Sequence, residues 1–371
     1  GAVGGSIFSF QLEHQPAYLV FQPYTSNTIL HNCYLTGVEV TSDNDITETY
    51  TVNTSTGAIT GSAGGKKIVL TTKGGSNPNG FPLTNNSASV TTNGAYMVIK
   101  PGTHTLKVRY WVKDVATNVE GTITKTLPAT AYASNTYYDM TANLNVRDYD
   151  GDHYYMWDAQ EQYWKGYEWT KHLPGNTGQP TVNYGSSPNY AQNNSDANNR
   201  WYNTSFLGSG ISNPATHTPC KDLPNANEMT WYITKGEPRC DLDELWTTMG
   251  HLYKNGIWFK KKSVLLTEGN YNSNTAVDGT DWRTTGKNNS WGASYTLPSA
   301  ADAGNYFYLP ALGLYNSGKL FYVGEYGYYW TSSASPYSSG YAYGLYFTMG
   351  NLTIGNNNFR YAGYRGEPTF E

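Results

Sequence analysis

The end of the chain carries the pattern that most constrains its fold. In the run YAYGLYF, the residues Tyr341, Tyr343, Leu345 and Phe347 alternate with Ala342, Gly344 and Tyr346. A period of two is typical of a β-strand with one buried face. Met349-Gly350-Asn351 interrupts the alternation, which resumes at Leu352 and Ile354, so the segment predicts a β-hairpin. One further strand is predicted from the aromatic residues that follow, Phe359, Tyr361 and Tyr364. The chain is therefore expected to close with a β-sheet.

Residues 1–146 contain short apolar-alternating runs separated by turn residues. The turn signals are DND, STG, GG, NPNG and PG, whose Gly, Pro and Asn residues favour the backbone angles of tight turns. No helical period persists over a window of about eleven residues. The runs predict strands at residues 7–12, 18–21, 34–40, 49–52, 67–70, 95–99, 104–112 and 137–146. Such a succession is typical of an all-β sandwich.

Residues 147–371 add helices to strands. Asn225 and Glu228 have the spacing of a capping box, so a helix is expected to begin there and to end at Gly236. Asp241 and Glu244 repeat that spacing, and a second helix is expected to follow. Its apolar stripe consists of Leu242, Leu245, Trp246, Met249 and Tyr253, and Asn255-Gly256 ends it. We therefore predict a mainly β chain with a β-sandwich over 1–146 and an α+β domain, with two helices and an antiparallel sheet, over 147–371.

Composition limits the classes of function. Charged residues make up only 14% of the chain and aromatic residues 15%, with 34 Tyr and 39 Gly, which is typical of a turn-rich extracellular β-protein rather than a disordered one. A net charge of −4 offers no basic face for nucleic acid. The one cationic run, Lys260-Lys261-Lys262, indicates a solvated strand end, with a binding role as the alternative.

The cysteines do not form a disulfide framework. They are Cys33, Cys220 and Cys240, and an odd number leaves at least one thiol unpaired within the chain. A bond between Cys220 and Cys240 and a pair of buried thiols both remain open at this point.

Catalytic motifs are missing from the sequence. It has no nucleophile elbow, Walker loop, dinucleotide fingerprint or zinc-ligand spacing, and its seven His are scattered. Asp158, Glu161 and Glu168 lie among Tyr and Trp residues in MWDAQEQYWKGYEW, which keeps open a glycoside hydrolase with two carboxylates facing a cleft. We predict no catalytic residue, no metal ligand and no cofactor.

Recognition by aromatic side chains is the remaining class of function. Tyr and Trp present rigid faces that stack on sugar rings or anchor protein contacts, while Asn and Ser supply adaptable hydrogen bonds. Residues 170–219 form a long segment rich in Asn, Gly, Ser, Pro and Thr, and long loops often carry binding surfaces. Besides Tyr184 and Tyr190, the loops contain the candidate ligand-binding residues Trp201, Tyr202, Tyr271, Trp282 and Trp291. The alternative is that these rings fill the core of a loop-rich domain.

Three motifs between residues 144 and 371 occur in the order of a known family. They are VRDYDGDHY at 146–154, CKDLPNANEMTW at 220–231, and a terminal series of YWTSS, YAYGLYF, GN and Arg360. This order resembles the Fibrobacter succinogenes major paralogous domain, which is similar to C-type-lectin-like and sulfatase-modifying-factor folds. The resemblance implies a C-type-lectin-like domain over 147–371. It also makes Asp150-Gly151 a hairpin turn rather than part of a metal loop of alternating carboxylates.

The chain departs from that family at its cysteine and metal positions. Many members pair the cysteine matching Cys220 with a C-terminal one, where this chain has Pro368, so the family cystine is absent. The Asn-Asp pair of a calcium-dependent lectin is replaced in Trp330-Thr331-Ser332, and only Glu-Pro pairs at 237–238 and 367–368 remain. We therefore expect no calcium site. No cysteine follows Cys240, so the chemistry of sulfatase-modifying enzymes is not expected either.

The first half resembles fimbrillins, the pilus subunits of Bacteroides-like bacteria. FQLEHQPAYLVF at 10–21 is similar to their Leu-x-His-x-x-Ala-x-aromatic strand, and LTGVEV, TYTV and KTLP before YYDMT keep the same order. The combination implies an adhesin of the outer-membrane surface or a fimbrium that binds glycan or protein through its C-terminal domain. Other fimbrial subunits would be its partners through donor-strand complementation. A tip position is expected, because a C-terminus inside a closing sheet leaves no donor strand. The alternatives are a surface glycan-binding protein outside a pilus and a secreted carbohydrate-active enzyme.

Overall fold

The structure is a computed structural model that describes residues 14–168, 187–366 and 370. The protein is mainly β, with several sheets, and divides into two compact units between Val146 and Arg147. No helix in the described ranges is both long and apolar enough to cross a membrane. The predicted strand at 7–12 lies outside the described residues.

Two sheets and a small hairpin build the first unit. Its strands are β1 (Ala17–Tyr24), β2 (Cys33–Ser42), β3 (Thr49–Val52), β4 (Ile59–Ser62), β5 (Lys67–Thr71), β6 (Phe81–Pro82), β7 (Ala95–Ile99), β8 (Gly102–Asp114), β9 (Glu120–Tyr132) and β10 (Tyr137–Asn143). The strand order is β10-β1-β7 in one sheet and β5-β2-β8-β9 in the other, with β6 also pairing with β2, while β3 pairs with β4. A single-turn helix, α1 (Val90–Asn93), precedes β7.

Alternation explains the core of this unit. Along β8, Leu106, Val108, Tyr110 and Val112 are buried while the residues between them are more exposed. Tyr110 contacts Phe21 of β1 edge-to-face, with ring centroids 6.2 Å apart. The predicted strands at 18–21, 34–40, 49–52, 67–70, 95–99 and 104–112 are confirmed, and the one predicted at 137–146 is shorter, since β10 ends at Asn143.

Strand β9 was not predicted, and its edge position explains why. Among the described strands it pairs with β8 alone, and it contains Pro128, which cannot donate a ladder hydrogen bond. The register shifts between Leu127 and Thr130, so the proline lies at a bulge where no donor is required. Its sparse apolar residues give a weak strand signal because much of this edge strand is exposed.

The second unit contains the remaining strands and helices. The strands are β11 (Arg147–Asp148), β12 (Tyr154–Tyr155), β13 (Arg239–Thr248), β14 (His251–Lys260), β15 (Asn289–Gly292), β16 (Tyr306–Pro310), β17 (Leu312–Asn316), β18 (Lys319–Val323), β19 (Gly327–Ala334), β20 (Tyr341–Thr348), β21 (Asn351–Phe359) and β22 (Tyr364–Arg365). The helices are α2 (Ala226–Lys235), α3 (Lys262–Thr267) and α4 (Trp282–Thr285). One sheet has the order β11-β13-β14-β16, and the other has the order β12-β22-β19-β20-β21-β15 with β17 and β18 attached.

The closing hairpin is confirmed. β20 and β21 pair antiparallel, with Thr348 opposite Asn351, and Gly350 in the turn has a φ of 104° that favours glycine. The expected additional strand is the two-residue β22. Behind this sheet, the ring of Trp330 stacks on that of Tyr364 with centroids 4.1 Å apart.

The first predicted helix is confirmed together with its cap. The Asn225 side chain accepts hydrogen bonds from the N–H groups of Asn227 at 2.9 Å and Glu228 at 3.1 Å. The Glu228 carboxylate accepts from the Asn225 N–H at 2.7 Å, which completes the capping box, and the cap at Gly236 ends α2.

The second predicted helix is wrong, because its residues form the β13–β14 hairpin. Asp241 does accept from the N–H groups of Asp243 at 3.0 Å and Glu244 at 2.9 Å, as an N-cap would, but these bonds stabilise a β-bulge. Residues 245–248 are buried on both faces, which removes the alternation that marks a strand. Trp246 and Tyr253 stack across the hairpin with centroids 5.3 Å apart.

The hairpin predicted at Asp150-Gly151 is also wrong. β11 pairs with β13 and β12 pairs with β22, so the segment carries the chain from one sheet to another. The Asp150 carboxylate accepts from the N–H of Asp152 at 2.8 Å and lies 2.7 Å from Nδ1 of His153, which stabilises a turn.

The three cysteines are free, buried thiols, so Cys220 and Cys240 do not form a disulfide bond. Cys220 Sγ accepts from the N–H of Asp158 at 3.2 Å, and Cys240 Sγ accepts from the N–H of Gly350 at 3.0 Å. Burial raises the pKa of Cys220 to about 12.

Candidate functional site

Trp201 and Tyr202 border a small polar groove in the second unit, which we call the Trp201 groove. Its volume is about 200 Å³, and the side chains of Gln160, Asn194, Asn199 and His217 line it together with the two rings. The rings are half-buried, tilted by 34° and 4.7 Å apart between centroids. Two aromatic faces beside amide side chains are the arrangement that the sequence composition predicted for recognition.

A buried carboxylate, Asp158, holds the floor of the groove. One of its oxygens accepts from Asn203 Nδ2 at 2.7 Å and from the N–H of Thr216 at 2.8 Å. The other accepts from the N–H of His217 at 2.7 Å. Asp158 is 0% exposed and has a φ of 51°, so several hydrogen bonds fix it in a backbone conformation that is uncommon outside glycine. Its role is to join two loops, and its acceptor sites are occupied by the protein.

A buried guanidinium supports the same loop from behind. Arg360, which follows β21, is 0% exposed and donates from Nη1 to the carbonyl oxygens of Asn203 at 2.6 Å and Ser205 at 3.1 Å. Its Nε donates to the carbonyl of Tyr341 at 2.9 Å, and its Cζ lies 4.4 Å from the Trp157 ring centroid. Burial lowers the pKa of Arg360 to about 10, because the charged form is partly desolvated.

A buried ion pair shapes the wall that carries Asn199. Arg200 Nη2 lies 2.6 Å from Asp196 Oδ1, and Arg200 Nη1 donates to the carbonyl of Asn189 at 2.7 Å. Burial raises the pKa of Asp196, but the hydrogen bonds from Arg200 outweigh it and hold that pKa below its usual value. The wall is thus fixed by charge-assisted bonds rather than by an apolar core.

The structure brings together only part of the predicted ligand-binding set. Of the five residues, only Trp201 and Tyr202 are described as lining the groove. Trp282 begins α4 and is 3% exposed, and its ring stacks on the half-buried Trp291 of β15 with centroids 6.2 Å apart. Tyr271 donates to Glu228 Oε1 at 2.8 Å beside the cap of α2. For Trp282 the alternative of a core ring therefore holds, and Tyr184 lies outside the described residues.

The carboxylates considered for glycoside hydrolysis do not share this groove within the described ranges. Of these three carboxylates, Asp158 is the one described as lining the groove, where the ion-paired Asp196 also lies. Glu161 lies 3.7 Å from Lys165, and Glu168 accepts from Gln162 at 3.2 Å. Glu237 of the first Glu-Pro pair contacts Arg239 and Lys260, each at 2.6 Å, while the second pair lies outside the described residues. Across the residues that the structure describes, no three His, Cys, Asp or Glu side chains cluster as metal ligands would.

Comparison of the chain with protein-family models, with curated proteins and with solved structures gives no significant match.

Sequence reasoning identified the rings of the groove but not their supports. Trp201 and Tyr202 are adjacent and stand out in a polar loop. The sequence marks Asp158 only as a possible catalytic carboxylate, and Arg360 only as part of a family motif. Their contacts with residue 203 span 45 and 157 positions, and no local pattern reveals such pairings.

Proposed function

We propose that this protein is an extracellular adhesin that binds glycan through the Trp201 groove. The observation that carries the proposal is the pair of half-buried rings, Trp201 and Tyr202, held beside amide side chains on a loop that Asp158 and Arg360 fix. Rings that are fixed before binding lose little conformational entropy when a sugar stacks on them. Amide groups at the rim can then bond to sugar hydroxyls.

The wider setting rests on the two resemblances in the sequence. A fimbrillin-like β-sandwich followed by a C-type-lectin-like domain would make the chain a fimbrial or surface-displayed subunit, with other fimbrial subunits as partners by donor-strand complementation. An edge strand supports this proposal: within the described sheet, β7 pairs with β1 alone. On β7, Tyr96 and Val98 are 57% and 52% exposed, so a strand added at this edge would find apolar side chains beside it.

Glycan-array binding by the full chain, with and without a calcium chelator, tests the central proposal. The Trp201→Ala variant should lose about tenfold or more in affinity for the glycans that the parent binds, because stacking on one ring contributes about 0.5–1.5 kcal/mol beyond the contact area that is also lost. Tyr137→Ala is the matched control, since Tyr137 is a 68% exposed ring of the first unit. Equal binding by parent and Trp201→Ala would refute a site in the groove.

Membership of a pilus needs its own test. Co-expression with fimbrial subunits followed by isolation of the polymer should recover the chain, and charged substitutions on β7, such as Val98→Lys, should reduce recovery. Glycan binding by a chain that never enters the polymer would favour a surface glycan-binding protein that acts alone.

A further inference from the structure

A second cavity lies against the sheet of β11, β13, β14 and β16. Its volume is about 430 Å³, and we call it the Trp258 cavity. The side chains that matter for its chemistry are Arg147, Glu244, Trp258, Lys261, Tyr306 and Tyr308. None of these lines the Trp201 groove in the described part of the chain, so the two sites can be tested separately.

A glycine allows the aromatic wall to form. Trp258 of β14 pairs with Tyr308 of β16, and their ring centroids are 4.9 Å apart. The ring of Tyr308 lies across β14 at Gly256, where an added Cβ would stand 2.3 Å from Cζ of the tyrosine. Only glycine leaves room for the ring to lie on the strand and to extend the wall.

A β-bulge supplies the polar side of the cavity. The pairing of β13 with β14 shifts register between Asp241 and Leu245, which allows the intervening Glu244 to line the cavity. The Asp241 carboxylate accepts from the N–H groups of Asp243 and Glu244 in the bulge, and it also accepts from the indole N–H of Trp258 at 3.0 Å. One buried carboxylate thereby fixes both the ring and the bulge.

Two cations at the cavity have no carboxylate partner. Among the described residues, neither Arg147 nor Lys261 lies within ion-pair distance of an Asp or Glu, whereas the adjacent Lys260 contacts Glu237 at 2.6 Å and Glu268 at 2.9 Å. The guanidinium of Arg147 instead lies 4.8 Å from the ring centroid of Tyr149. Burial and the nearby Asp241 raise the pKa of Glu244, so this carboxyl opposes an incoming anion less than an ordinary glutamate would.

A hydrogen-bond donor in the wall is unused as well. The hydroxyl of Tyr308 is buried, and the described residues offer it no acceptor. The neighbouring indole N–H of Trp246 donates to the carbonyl of Asn255 at 3.0 Å and cannot accept from the hydroxyl. Because this oxygen is closed to solvent, a ligand in the cavity would contact the ring of Tyr308 and not its hydroxyl.

We propose that the Trp258 cavity binds an acidic saccharide residue, a pyranose that bears a carboxylate. The sugar ring stacks on Trp258 and Tyr306, the carboxylate is held by Arg147 and Lys261, and Glu244 accepts from a sugar hydroxyl. This site is additional to the Trp201 groove and does not require it.

Isothermal titration calorimetry on the full chain tests this with two matched pairs, tetragalacturonate against its carboxyl-reduced neutral form and 3′-sialyllactose against lactose. At least one acidic member should bind about tenfold more tightly than its neutral counterpart. Arg147→Gln and Lys261→Gln should each weaken acidic binding by about fivefold and so reduce the preference over the neutral counterpart. Lys221→Gln makes the same charge change at an exposed residue that is not among those described as lining the cavity.

The proposal is overturned if no acidic member is preferred, or if the preference survives in the Arg147→Gln/Lys261→Gln double variant. A preference abolished by Trp201→Ala would assign the acidic sugar to the groove and also overturn it. Loss of neutral-glycan binding in Trp201→Ala alone would leave this proposal intact.

Discussion

The Trp201 groove and the Trp258 cavity present aromatic rings by different means. In the groove, two consecutive residues on a loop are held by the buried charged groups Asp158 and Arg360. In the cavity, Trp258 faces Tyr308 across two paired strands, and Gly256 gives the second ring its room. The ring positions in the groove depend on hydrogen bonds to buried charged groups, whereas those in the cavity depend on the close approach of a ring to the backbone of a neighbouring strand. The groove should therefore be destabilised when a hydrogen-bond acceptor is removed, and the cavity when a methyl group is added at Gly256.

The largest effect is expected from Asp158→Ala. It would remove the buried carboxylate that accepts from Asn203, Thr216 and His217, and lower the free energy of unfolding by about 3 to 5 kcal/mol. Urea denaturation measures this directly. Asp158→Asn, which keeps the shape and one acceptor oxygen, should lose less. A loss below about 1 kcal/mol in the alanine variant would contradict the role of Asp158 as the support of the groove.

The corresponding change in the cavity is Gly256→Ala. The new methyl group would stand 2.3 Å from Tyr308 Cζ and 2.5 Å from the carbonyl oxygen of Leu309, so we expect a loss of about 1 to 3 kcal/mol. Gly292→Ala on β15 is the matched control, because its methyl group would meet only the Gly350 carbonyl oxygen at 3.9 Å. Equal stability of the two variants would show that Tyr308 does not depend on this glycine.

A smaller effect should follow Arg360→Lys. An ammonium group cannot reach the carbonyls of Asn203, Ser205 and Tyr341 together, so stability should fall by about 1 to 2 kcal/mol and glycan affinity at the groove should fall with it. Thermal unfolding and calorimetry measure the two effects. Acidic-sugar binding at the Trp258 cavity serves as the internal control, and its loss in this variant would show a general unfolding rather than a released loop.

The buried thiols offer the mildest test of both regions. Cys220 bonds to the N–H of Asp158 beneath the groove, and Cys240 precedes Asp241 in the bulged strand. In the native protein at pH 8, both thiols should resist a thiol reagent. In urea all three cysteines should react, and no reductant should be needed because the thiols are free. Asp158→Ala should expose Cys220 before Cys240. Equal rates in that variant would contradict a local opening.

The pKa of Cys220 also predicts the behaviour of stability in alkali. Burial raises this pKa from 9.0 to about 12, so the folded thiol keeps a proton that the unfolded chain loses near pH 9. Its stabilising contribution is complete below pH 9 and is lost as the pH rises from 9 toward 12. Urea denaturation across this pH range should show that the free energy of unfolding falls less steeply with pH in Cys220→Ser than in the parent.

Two identical signals show how far the sequence could predict the fold. Asn225 with Glu228 and Asp241 with Glu244 have the same capping-box spacing, and both first residues do cap the backbone N–H groups that follow. Only the first pair begins a helix. After Asp241 the chain pairs with β14 over a surface that is buried on both sides, and this long-range pairing overrides the local cap.

The same limit applies to the candidate site. Trp201 and Tyr202 could be predicted because they are neighbours in a polar loop, and the closing hairpin because alternation is a local property. The supports at Asp158 and Arg360 and the bulge that exposes Glu244 arise from residues far apart in sequence. Their contacts depend on sheet register, which composition and spacing do not encode.

The most direct test of glycan binding at the groove is a ¹⁹F NMR titration of protein labelled with 5-fluorotryptophan. The chain has 11 Trp, and Trp201→Phe assigns the resonance of Trp201. The glycan bound most tightly on the array should shift that resonance, while the fully buried Trp330, which is not among the residues described as lining the groove, keeps its own. A saturable binding isotherm with no change at Trp201 would place the ligand elsewhere and contradict the proposed site.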